Sequence, residues 1–323
     1  MKTRNSLNSE QPQQLSLSQS KSAAAIATKD LYLPDECWEC VIRFLDNDDN
    51  HSNSSLKSFS AVSKQFLSIT NRLRYSITIR HPTRICPSGL FQRFPNLTSL
   101  RLTHYYGGDI FCWLSSIAFS IRIKNTQTNN SADNSNSFVV STQLKSLHLI
   151  SSTWLQDESI KRIASVFPNL QLLDLSFCYN ISEEGIFQVL RTCSEITHLN
   201  LTSCLGRKLR RMNFEVPKLE VLNLSYTNVD DETLSVISKC CRGLLQLSLE
   251  WCFFVTEMGV KHVVEKCTQL REIDLKYCLQ VHCDVLASLI FSRPSLRKFT
   301  TPDRYRFNNK EMELLSRQGC IVC

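Results

Sequence analysis

A chain of 323 residues with 42% hydrophobic content is long enough to bury a sizeable core and too apolar for an intrinsically disordered protein. The formal charge of +7 comes from scattered Lys and Arg and makes no case for nucleic acid as a partner. No secretory-type apolar stretch opens the sequence, and the best apolar run, Ile110 to Phe119, is too short to span a bilayer; a nuclear or cytoplasmic location is expected, with the fifteen cysteines reduced and no membrane contact.

Residues 1–30 are rich in Ser, Gln, Asn and Lys and nearly free of large apolar groups, so they cannot offset the entropy of ordering and are expected to form a disordered tail. Residues 31–79 carry a compact helical pattern. Pro34 suits the first turn of a helix, and Trp38, Val41, Ile42 and Leu45 fall on one face of it. A second amphipathic stretch runs from Leu56 to Phe66 and a third from Phe66 to Leu73. Three short helices form little core alone, so apolar surface is left over for a partner.

From Leu97 onward, over the domain expected at 80–323, the pattern Leu-x-x-Leu-x-Leu recurs about eight times, often closed by cysteine: LKSLHLISS from Leu144, LQLLDLSFC from Leu170, ITHLNLTSC from Ile196, LEVLNLSYT from Leu219, LLQLSLEWC from Leu244 and LREIDLKYC from Leu270. From Leu144 to a weaker member, LRKFTTPDR from Leu296, the spacings are 26, 26, 23, 25, 26 and 26 residues. Alternate leucines of each short strand point inward, and a helix-like stretch such as ISEEGIFQVLRTC or VTEMGVKHVVEKC follows. A single repeat has no core, so the chain must stack into an α/β solenoid, a curved parallel sheet with outer helices. Between Cys204 and Leu219 the spacing is too short for a helix, and a polar insertion near 124–140 is expected to be disordered.

Residues between the inward leucines should form two solvent-facing columns on the concave side: Arg101, His148, Asp174, Asn200, Asn223, Ser248 and Asp274, then Thr103, Ile150, Ser176, Thr202, Ser225, Glu250 and Lys276. Candidates for binding a protein substrate are His148, Asp174, Asn200, Asn223, Glu250, Trp251 and Lys276. Phe177, Tyr226, Trp251 and Tyr277 share one phase at the strand ends, and Trp251 is the preferred anchor. His148 beside Asp174 invites a catalytic reading, yet no nucleophile motif accompanies it, and no enzyme activity is expected.

Cys178, Cys204, Cys252 and Cys278 close the strand motif, which suits small buried side chains. Cys37-x-x-Cys40 with Cys320-x-x-Cys323 could in principle assemble a four-thiolate zinc site, but both pairs have better structural explanations; no metal and no cofactor are expected. The basic cluster Arg207, Lys208, Arg210 and Arg211 could bind an acidic segment, with a solvated surface as the plainer reading. The closing GCIVC reads as a terminal strand in preference to a prenylation signal.

Leu33-Pro34-x-Glu36, the apolar positions through Leu45, and Leu56 onward to Val62-Ser63-Lys64-x-Phe66 resemble an F-box. Followed by cysteine-containing repeats, the chain is similar to the F-box/leucine-rich-repeat proteins, particularly those of plants. That resemblance implies a three-helix F-box docking on a Skp-type adaptor, and through it a cullin, while the repeats hold an unidentified target for ubiquitination. The implied adaptor-binding residues are Leu33, Pro34, Trp38, Val41, Leu45, Leu56, Val62 and Phe66. The alternative is a repeat scaffold outside any ligase, with the front helices as a cap.

Overall fold

The computed structural model describes residues 33–47, 54–80, 87–103, 143–153, 155–204, 209–282, 288, 290–302 and 307–323. The expected tail and the insertion near 124–140 lie outside them. The chain divides into a first unit up to Thr70 and a second from Asn71. Among the described residues no helix is long and apolar enough to cross a membrane.

Three helices build the first unit: α1 (Asp35–Asn47), α2 (Ser54–Ser60) and α3 (Lys64–Leu73), the last of which runs on past Thr70. Pro34 stands just ahead of α1, and its carbonyl accepts the Cys37 and Trp38 N–H groups at 3.0 and 3.2 Å. Asp35 and Glu36 fill the first turn, where negative charge complements the helix dipole. The stretch from Leu56 to Phe66, expected as one helix, is broken at Ala61–Ser63. The cause is local, because the Ser63 hydroxyl accepts the Phe66 N–H at 3.1 Å and so caps a new helix. Ile42, Leu56 and Ile69 are buried. Trp38 packs on Phe66 at 4.9 Å between ring centroids, Phe59 on Phe66 at 6.3 Å, and Gln65 Nε2 donates to Asp35 Oδ1 at 2.9 Å.

The second unit is built on one open sheet of ten parallel strands in sequence order: β1 (Ser76–Arg80), β2 (Ser99–Thr103), β3 (Ser146–Ile150), β4 (Leu172–Asp174), β5 (His198–Asn200), β6 (Val221–Asn223), β7 (Gln246–Ser248), β8 (Glu272–Asp274), β9 (Lys298–Thr300) and β10 (Ile321–Val322). Strictly sequential parallel pairing, not closed into a barrel, is the α/β leucine-rich-repeat solenoid. Helices follow several strands: α4 (Pro87–Arg93), α5 (Asp157–Val166), α6 (Glu183–Thr192), α7 (Asp231–Cys240), α8 (Glu257–Lys266) and α9 (Asn309–Arg317).

The three apolar positions of every repeat from Leu144 to Leu275 are 3% exposed or less. Each such leucine contributes about 1.5–3 kcal/mol of burial, realised only because a neighbouring repeat covers it. The sheet begins earlier than the sequence boundary at residue 80: Ser76–Arg80 pairs in register with Ser99–Thr103. Its Ile77 and Ile79 alternate correctly, but the segment lacks the leucine pattern that betrays the later strands. Ile321–Val322 pairs with β9 as the expected terminal strand.

No helix occurs among the described residues between Cys204 and Leu219, as the short spacing predicts. Leu209, Met212 and Val216 are buried there instead, and Phe214 meets Phe187 edge-on at 5.8 Å. The motif cysteines form a ladder of their own. Cys178 donates to Leu149 O and Cys278 to Leu249 O at 3.0 Å each, Cys204 to Cys178 O at 3.0 Å, and Cys252 to Leu224 O at 3.2 Å.

Candidate functional site

Two surfaces stand out, one in each unit. In the first, α1 buries Ile42 and leaves its flank open: Leu33, Val41 and Leu45 are exposed, as is Phe44 at 70%. Val62, in the break between α2 and α3, is 66% exposed. Of the adaptor candidates, then, Leu33, Pro34, Val41, Leu45 and Val62 are presented to solvent. Trp38 and Phe66 are half-buried against each other, and Leu56 belongs to the core, which corrects its place among the docking residues. Phe44 escaped the sequence reading because it falls off the predicted apolar face; its position three residues after Val41 was the available signal.

On the second unit, the residues between the leucines do not all face solvent. Asp174, Ser176 and Ser225 are buried, against expectation. The carboxylate of Asp174 turns back on its own strand end, where its Oδ1 accepts the Ser176 N–H at 3.0 Å and the Ser176 hydroxyl at 2.7 Å. Asn200 does the same with Thr202, at 3.0 and 2.7 Å. Asn223 accepts the Ser225 N–H at 2.9 Å, and Asp274 the Lys276 N–H at 3.0 Å. These side chains fasten the turn after each strand, a habit of Asn and Asp that the alternation rule alone does not reveal.

His148 lies between strand neighbours. Its Nδ1 is 3.2 Å from Asp174 Oδ2, and its Nε2 is 3.1 Å from Ser146 Oγ and 3.5 Å from an Arg101 guanidinium nitrogen. Burial by itself raises the Asp174 carboxyl, but the hydrogen bonds from His148 and Ser176 outweigh it and hold the group below its ordinary value of 3.8. Serine, imidazole and carboxylate thus align in the order of an acyl-transfer triad. Such a centre also needs donors aimed at a developing oxyanion, and the Ser146 N–H is committed to Thr98 O at 2.9 Å. The arrangement reads as a polar ladder across β2, β3 and β4.

The aromatic phase has a backbone cause. Phe177, Tyr226, Trp251 and Tyr277 hold left-handed conformations, with φ of 62°, 58°, 59° and 61°. Bulky residues adopt this region only when their surroundings enforce it. Here the ladder does so: Phe177 N–H donates to Thr202 O at 2.8 Å, Tyr226 to Glu250 O at 2.8 Å and Trp251 to Lys276 O at 3.0 Å. Side chains from consecutive repeats therefore stack. Trp251 lies over Tyr226 at 5.8 Å, tilts on Tyr277 at 4.5 Å and meets Phe253 edge-on at 5.6 Å. Lys276 Nζ sits 5.0 Å from the Tyr277 ring centre. Trp251 is half-buried in this cluster, so it serves both packing and surface, while Tyr226 and Phe253 are exposed.

Beside the rings, a shallow groove of about 210 Å³ crosses β6 to β9, lined among others by Asn223, Gln246, Ser248, Glu272, Asp274 and Lys298. Glu250 and Lys276 continue this face, both half-buried. The basic cluster is partly neutralised. Arg210 pairs with Asp230 and with Glu232, the latter at 2.9 Å, and Arg211 with Glu183 at 3.4 Å; Arg207 and Lys208 lie outside the described residues. Cys37 and Cys40 belong to the first unit, Cys320 and Cys323 to the second, and no group of three or more metal-ligating side chains occurs among the described residues.

No family model matches the chain. It is similar to F-box/LRR-repeat protein 4 of Bos taurus, 28% identical over 193 residues, covering 51% of this chain and 28% of that one. F-box/LRR-repeat protein 12 of Arabidopsis thaliana is 28% identical over 186 residues, covering 57% and 44%. Coronatine-insensitive protein 1 of Arabidopsis thaliana is 22% identical over 236 residues, covering 67% and 36%. The matched segments thus span less than half the length of these relatives, which come from an animal as well as a plant. Among solved structures, a chain of the yeast Rad7 and Elc1 complex shares 14% identity at a TM-score of 0.46, covering 94% of this chain and 95% of that one. The curated relatives this chain is similar to include F-box/leucine-rich-repeat proteins, the family that its own residues resemble.

Proposed function

We propose that the chain is a non-catalytic substrate receptor of a Skp–cullin–F-box ubiquitin ligase, acting in the nucleus or cytoplasm. In this reading the first unit docks on a Skp-type adaptor through Leu33, Pro34, Val41, Phe44, Leu45 and Val62, with Trp38 and Phe66 fixing the helices behind them. The repeat sheet holds the target, and no cofactor or metal takes part. One observation carries the reading: Val41, Phe44 and Leu45, within five residues of one short helix, stand exposed, as do Leu33 and Val62, and exposed apolar surface of this kind marks a site for a partner. The curated F-box/leucine-rich-repeat relatives support it further.

The test is co-purification of the full chain with a Skp-type adaptor. Val41→Asp with Phe44→Asp places charge on exposed positions and should abolish recovery while leaving the circular dichroism spectrum unchanged. Leu33→Asp with Pro34→Ala should act likewise. Undiminished adaptor recovery by folded variants would show that the docking surface lies elsewhere.

A further inference from the structure

We infer that the sheet face around β7 and β8 recognises an extended, arginine-bearing segment of a protein partner. The inference rests on the receptor reading and names the class of target that this face would take.

Three carboxylates share the face. Register places Gln246 beside Glu272 and Ser248 beside Asp274, and Glu250, half-buried just past β7, follows the inward Leu249. Among the described residues, none of Glu250, Glu272 and Asp274 forms a salt bridge. Elsewhere in this unit exposed charges do pair, as Lys218 with Glu195 at 2.5 Å, Arg211 with Glu183 at 3.4 Å and Arg317 with Glu313 at 2.7 Å. Among the described residues the cations of the face are Lys276, held over the Tyr277 ring, and Lys298 in the groove, the strand neighbour of Glu272. In a chain of formal charge +7, a face whose described residues carry three carboxylates and two ammonium groups reverses the prevailing sign. That is complementarity to a basic ligand and not a consequence of composition.

The second feature is the aromatic stack of Tyr226, Trp251 and Tyr277, flanked by Phe253. Glu250 directly precedes Trp251 in the stack, and its backbone carbonyl accepts the Tyr226 N–H at 2.8 Å, so a cation on this face has a π-face and an anion from neighbouring positions to meet. Lys276 over Tyr277 already shows the rings in this use. Guanidinium suits the pairing better than ammonium, because it is planar, stacks on a ring and forks to a carboxylate with two parallel hydrogen bonds. The groove is shallow and crosses four strands, which fits an extended backbone and not a folded domain edge or a compact small molecule.

The experiment uses the full chain and three fluorescein-labelled probes: Gly-Arg-Leu-Arg-Gly-Arg-Leu-Arg-Gly, the same peptide with every Arg replaced by Lys, and the same with every Arg replaced by Glu. By fluorescence anisotropy the arginine probe should bind about tenfold more tightly than the glutamate probe and about threefold more tightly than the lysine probe. Glu250→Gln with Glu272→Gln should weaken arginine-probe binding by about tenfold, and Tyr226→Asn should erase most of the preference over lysine. The inference is overturned if the glutamate probe binds as well as the arginine probe, which the net charge of the chain alone would favour, or if the double variant binds the arginine probe undiminished. Adaptor capture on the same preparations separates the two readings. Loss of probe binding with adaptor recovery intact removes only this inference, and probe binding without adaptor recovery removes only the ligase role.

Discussion

A methyl group at Gly259 would collide with the carboxylate of Asp231, which is already committed to Thr256 of the next repeat, accepting its N–H at 2.8 Å and its hydroxyl at 2.6 Å. The same staple recurs one pair of helices earlier, where Asp157 accepts the Ser182 N–H at 2.8 Å and hydroxyl at 2.5 Å, and Gly185 leaves room for it. Each staple ties the first turn of one outer helix to the cap of the next. Gly259→Ala should therefore destabilise the solenoid by about 1–3 kcal/mol through overpacking. Helix propensity alone favours alanine by about 1 kcal/mol, so the two effects oppose in sign. Urea denaturation decides between them; a stabilised alanine variant would mean that the carboxylate moves aside freely.

Leu249 and Glu250 are adjacent and face opposite ways. Leu249 is fully buried between repeats, and Leu249→Ala should cost about 2–5 kcal/mol. Glu250→Ala should change stability by no more than about 0.5 kcal/mol, because it removes a side chain without a hydrogen bond or ion pair among the described residues. Thermal melts of the two variants check this. Equal losses would mean that the strand register is displaced by one residue.

Asp174 makes stability depend on pH with a definite sign. Its carboxyl is held below 3.8 in the folded chain despite burial, since His148 and Ser176 donate to the charged form. A depressed folded value means that the contribution is fully present above the unfolded carboxylate range and is lost as pH falls through the folded value. Asp174→Asn should flatten the decline in urea midpoint between neutral pH and pH values below the ordinary carboxylate range. At neutral pH, Asp174→Ala should lose about 1–3 kcal/mol, since it strands the donors of Ser176. An acid profile identical to that of the parent chain would refute the assignment.

The motif cysteines should be inert in the native protein. Burial pushes the thiols of Cys178, Cys204 and Cys278 up to about 12 and that of Cys252 to about 11, while Cys37 and Cys40 are exposed. Thiolate is the reactive form, so brief iodoacetamide treatment at mildly alkaline pH should label Cys37 and Cys40 and leave those four unmodified. Peptide mapping by mass spectrometry reads the outcome, and labelling should spread to all of them in urea.

Local pattern was enough for the repeat, its spacing, the inward leucines, the buried cysteines and the missing helix after Cys204, because each follows from alternation along a strand or period along a helix. The exposed face was legible only as columns of positions. Whether Asp174 looks outward or folds back onto Ser176 depends on a turn whose competing hydrogen bonds are invisible to alternation, and the Ser146–His148–Asp174 alignment requires that residues 26 positions apart become strand neighbours. The stack of Tyr226, Trp251 and Tyr277 likewise exists only through strand register, as does the clash that reserves Gly259 for glycine. In the first unit the resemblance marks Leu56 as a docking position and the helical period passes over Phe44, and neither divides apolar residues between core and surface. Leu56 and Phe44 are both large and apolar, and only the packing of three helices buries the first and leaves the second in water.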